Sequence, residues 1–85
     1  MSEPDREVDA IAAEIKRYLL DHPDAADSAA GIRAWWLSPA AAAEGEAAVL
    51  AALERLESAG VVVRTAIEGM ATTFSSAARG NKFAS

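Results

Sequence analysis

At Gly60 the apolar pattern changes its period, and this change constrains the fold more than any other feature of the chain. Before it, Val49, Leu50, Leu53 and Leu56 recur at helical spacing, while Glu54, Arg55 and Glu57 fall on other faces. After it, Val61-Val62-Val63-Arg64-Thr65 is a β-branched run that reads as a strand. Gly60 follows Ala59 where a left-handed helix cap is expected, so the helix passes into the strand with almost no linker. Glu68-Gly69 then supplies a turn, and Ala71-Thr72-Thr73-Phe74 a return strand.

Two helices are expected upstream. Val8, Ile11, Ala12, Ile15 and Leu19 form one stripe of a helix running from about Asp5 to Asp21, with acids in its first turns. Pro23 ends it, because the residue before a proline avoids the α region. His22 to Ala26 reads as a connector, and Asp27-Ser28 as N-cap residues for a helix from Ala29 to Leu37. Ser38-Pro39 stops that helix and can cap and open the next. Residues 39–46 read equally as an extension of the third helix or as a loop, since Gly45 weakens a continuous helix by about 1 kcal/mol relative to alanine. The expectation is one mainly α domain with a small β-hairpin over residues 5–75, with flexible termini at 1–4 and 76–85.

Composition bounds the function. At 85 residues the chain holds one domain, and although 52% is hydrophobic, much of that is alanine. With no cysteine there is neither a disulfide nor a thiolate metal site. No apolar run approaches the ~20 residues that span a bilayer, and the acidic start lacks the order of a signal peptide. A cytoplasmic protein, of bacterial origin by its alanine-rich usage, is expected. The net charge is −5, and the excess of base is confined to residues 60–85, where Arg64, Arg79 and Lys82 face only Glu68.

Three helices, the last carrying Leu53, Leu56 and Gly60 before a valine run and a hairpin, resemble the winged helix-turn-helix superfamily. The resemblance covers about residues 8–75. It implies a three-helix domain with a wing, a scaffold used for DNA binding and also for protein binding. One departure is that the interval from Ser38 to Gly60 is longer than in typical members, which lengthens the turn or the start of the third helix.

A DNA-reading helix presents base-reading side chains at its N-terminal end, flanked by Lys and Arg on phosphates. Here those positions hold Ala42, Ala43, Glu44, Glu46, Ala47, Ala48 and Ala51. Alanine makes no hydrogen bond to a base edge, and glutamate repels phosphate. Only Arg33, Arg55, Arg64 and Arg79 remain for a homodimeric DNA-binding transcription regulator. The same surface suits a protein partner better. Small residues at Ala47, Ala48 and Ala51 permit close approach, and Trp35-Trp36 cannot both bury easily, so one is expected to anchor a partner. The leading expectation is therefore a non-catalytic regulatory or adaptor module that binds another protein. His22 with Asp24 and Asp27 lacks ligand spacing for a metal, and no acid–base or nucleophile cluster is present, so no enzyme activity, metal or cofactor is expected.

Overall fold

The computed structural model describes residues 3–66 and 68–77. It is mainly helical with a small antiparallel sheet. Helix α1 spans Glu3–Asp21, β1 Ala26–Ser28, and α2 Ala29–Gly31, which continues without a break into a π-helical turn, Ile32–Trp36. Then come α3 Pro39–Ala42, α4 Glu46–Ser58, β2 Val62–Thr65 and β3 Thr73–Ser76.

The core is built by the two long helices. Helix α1 contributes Val8, Ile11, Ile15 and Leu19, as its stripe predicts. Helix α4 contributes Val49, Ala52, Leu53 and Leu56, at the i, i+3, i+4, i+7 spacing that puts four residues on one face. Leu50, expected in this stripe, lies about 100° round the helix from Val49 and is 40% exposed, and Ala52 takes its place. The α1–α4 contact is the broadest in the domain, and Ile32, Trp36, Val62 and Phe74 close over it.

Each junction has a local cause. Helix α4 ends in a Schellman motif: Val61 N–H donates to the Leu56 carbonyl at 2.8 Å, and Gly60 N–H to the Glu57 carbonyl at 3.1 Å. Gly60 has φ +78°, which a glycine adopts without steric cost. Gly45, at φ +97°, separates α3 from α4, so residues 39–46 are neither one helical extension nor a plain loop. Ser38 caps α3, its Oγ accepting from Ala41 N–H at 3.3 Å. Ser38 is itself gripped by α1: Glu14 accepts from its N–H at 2.9 Å and from its hydroxyl at 3.0 Å.

Three expectations are corrected. The connector before Ser28 contains a strand, because Ala26, Asp27 and Ser28 pair with Ser75, Phe74 and Thr73. The sheet therefore has three strands in the order β1-β3-β2, and Ser28 both ends β1 and caps α2, accepting from Gly31 N–H at 3.2 Å. The second helix is π-wound over its latter part and stops at Trp36, with Leu37 extended. The return strand lies at Thr73–Ser76, which places Ser76 in the sheet, buried, and not in a frayed tail. Glu68 and Gly69 do form a turn, with Gly69 at φ +83°, inside a connection longer than a tight hairpin.

Candidate interaction surface

Trp35 and Trp36 are adjacent in sequence and opposite in environment. Trp36 is 8% exposed and stacks on Tyr18 of α1, with centroids 4.6 Å apart and planes 11° from parallel. Tyr18 in turn meets His22 at 4.4 Å, so three rings from α1, its end and the π turn form a short ladder. Trp35 is 78% exposed. The π turn that carries both is a rare winding, found often at functional positions. Beside it runs a shallow groove of about 310 Å³ lined by Ala30, Arg33, Ala34, Ala42 and Ala43.

The candidate alanines divide. Ala47 is exposed at the start of α4, whereas Ala48 and Ala51 are half-buried and pack against the core. Part of the alanine signal is thus structural. Leu20 and Met70, 75% and 69% exposed, are apolar surface residues that sequence reading passed over. Leu20 had a signal, since it falls one residue off the α1 stripe.

The arginines are engaged within the chain. Arg33 Nε donates to the Ala42 carbonyl at 2.7 Å, tying the π turn to α3. Arg55 on α4 pairs with Asp9 on α1. Arg64 on β2 pairs with Glu57 at 3.1 Å and lies over the Phe74 ring, 5.3 Å from its centroid. Arg79 lies outside the described residues. Helix α4 also exposes Glu46, Glu54 and Glu57, so Arg55 sits among carboxylates.

A second electrostatic feature lies between α1 and the α3–α4 turn. Glu7 is held above the ordinary carboxylate range, first by the negative charge of Glu44 beside it and then by a hydrogen bond between the two side chains. Among the described residues no group of three His, Cys, Asp or Glu side chains could hold a metal ion. Nor is any described helix long and apolar enough to cross a membrane. No family model, curated protein or solved structure matches the chain.

Proposed function

We propose that this chain is a small winged-helix interaction domain, a regulatory or adaptor module that docks on another protein with Trp35 as its anchor. The observation that carries this reading is the division between the two tryptophans. A domain this small gains much of its stability from its few large side chains, yet it leaves an indole four-fifths exposed beside the one it buries. Full burial of such a ring in a partner's pocket is a common source of binding energy. The Trp36–Tyr18 stack anchors the residue next to Trp35 in the core, which lowers the ordering cost on binding.

The winged-helix part of the reading is supported by the direct passage from α4 through Gly60 into β2 and by the antiparallel β2–β3 pair, although the order here is helix, strand, three helical segments and two strands. Against DNA as the partner stand the acidic face of α4 and the internal partners of Arg33, Arg55 and Arg64. A duplex binder needs cations turned outward to neutralise phosphates.

The test is photo-cross-linking in the native cell from a benzoyl-phenylalanine placed at residue 35, with the adduct identified by mass spectrometry. One dominant protein adduct, absent when the same group stands at Glu54, supports the reading. Adducts of equal yield from both positions, or none, overturn it. In parallel, titration with mixed duplex DNA at about 50 mM salt is expected to leave the α4 and β2 amide resonances unmoved.

A further inference from the structure

Ile32 and Trp36, four residues apart, mark the core side of the π turn. Ala34, midway between them, therefore points outward, with Arg33 on one flank and Trp35 on the other. All three are exposed. The alanine groove lies on the Arg33 flank, and of the described residues that line it only Arg33 is charged. The Ala42 carbonyl accepts from Arg33 Nε alone. A guanidinium carries five N–H donors, so four remain on its two terminal nitrogens. Among the described residues nothing meets those four. A neutral carbonyl orients the group and leaves its charge whole, whereas Arg55 and Arg64 are each paired with a carboxylate. Arg33 is thus an oriented positive charge over an uncharged floor of Ala30, Ala34, Ala42 and Ala43.

We propose that this groove receives an acidic side chain of the protein that Trp35 anchors, its carboxylate bridging the two terminal nitrogens of Arg33. The outer edge of a guanidinium matches the two oxygens of a carboxylate, and the bidentate pair fixes direction as well as charge. The alanine methyls accept the aliphatic stem, and no carboxylate among the described residues lines the groove to compete. A polyanion such as a duplex needs a row of cations, which a chain of net charge −5 does not offer here. One carboxylate needs one cation. The groove is too open to retain a small free acid, but a side chain delivered beside a docked Trp35 arrives at high effective concentration. Trp and Arg, both enriched at binding hot spots, would then straddle Ala34 as two contacts of one partner. The occupant rests on the partner-docking reading, whereas the groove's choice of a carboxylate does not.

Propionate, the analogue of a glutamate side chain, tests that choice without the partner. In NMR titrations of the full chain at constant ionic strength, propionate should shift Arg33 Nε–H and the amides of Ala30, Ala34, Ala42 and Ala43. Half-saturation is expected at about 10–100 mM, as for a single small contact. Propanol and propylamine should leave these resonances in place, and Arg17 Nε–H, an exposed arginine on α1, should not follow Arg33. Arg33→Lys keeps the charge and loses the fork, so it should bind at least about threefold more weakly, and Arg33→Gln not measurably. Equal shifts at Arg17 and Arg33, or equal effects of propionate and propanol, would overturn the proposal even if the variants failed to fold. So would inorganic phosphate binding tighter than propionate, since that marks a phosphate-bearing occupant. Failure of this titration strikes the groove alone, and failure of the cross-link at residue 35 strikes the docking reading.

Discussion

Gly31 is a glycine for want of space, since its φ of −66° is ordinary for a helix. A Cβ built there meets the Asp27 carboxylate at 1.9, 2.2 and 2.4 Å from Oδ1, Cγ and Oδ2. Ordinary contact begins at 3.4 Å, so in Gly31→Ala the carboxylate must retreat by more than an ångström. Its backbone does not move freely, because Asp27 is paired to Phe74 in the sheet. The side chain must therefore change rotamer and abandon Ser28 N–H. Losing that hydrogen bond costs about 1 kcal/mol, and residual overpacking adds about 1–2 kcal/mol. Against these stands a gain of about 1 kcal/mol for alanine over glycine in a helix. The net expectation for Gly31→Ala is a loss of about 1–2 kcal/mol. Asp27→Ala alone loses about 1 kcal/mol through the same hydrogen bond. In the double variant the clash is gone and alanine's helical preference acts unopposed, so it should match or exceed Asp27→Ala in stability. The double-mutant cycle then gives a coupling of about 2 kcal/mol. Urea unfolding followed by circular dichroism, with constant m-values, measures it directly. Additivity within about 0.5 kcal/mol would refute the reasoning.

Other substitutions probe the remaining joints. Leu53→Ala removes a fully buried side chain between α1 and α4 and should cost about 2–5 kcal/mol in the same assay, whereas Leu50→Ala should stay under about 1 kcal/mol. Ser38→Ala deletes both the α3 cap and one half of the Glu14 grip. A loss of about 1–2 kcal/mol is expected, and Glu14→Ala added to it should cost less than it does alone, as stability curves of the three variants will show. Glu7 gives a pH signature. Its proton is held more tightly in the folded chain than in the unfolded one, so ionisation beside Glu44 disfavours folding as pH rises from about 4.5 through the raised folded value. Glu7→Gln should therefore match the unaltered chain below that window and exceed it in melting temperature above. A stability difference that does not grow with pH contradicts the assignment.

What the sequence reveals here depends on how local the cause is. Helices α1 and α4 and the Gly60 cap are written in periodicity and in a single residue type, so they are legible. Strand β1 is not, because Ala26-Asp27-Ser28 has the composition of a cap or turn and becomes a strand only by pairing with residues nearly fifty positions later. The arginines illustrate the same limit. Arg55 meets Asp9 across 46 residues, and no spacing rule predicts that it is engaged. Leucine at near-helical spacing looks buried, yet Leu50 lies about 100° round the helix from Val49 and the small Ala52 is the residue enclosed. The tryptophan pair is half legible: adjacency makes full burial of both difficult, and only the exposures and the stack on Tyr18 show that they divide and which is inside.

The proposed anchor role of Trp35 is tested most directly by the affinity of the cross-linked partner. Titration calorimetry with that partner, purified, should show Trp35→Ala weakening binding by about 30-fold or more, the loss of a hot-spot residue, while unfolding free energy changes by less than about 0.5 kcal/mol. Affinity within about twofold of the unaltered chain would contradict it.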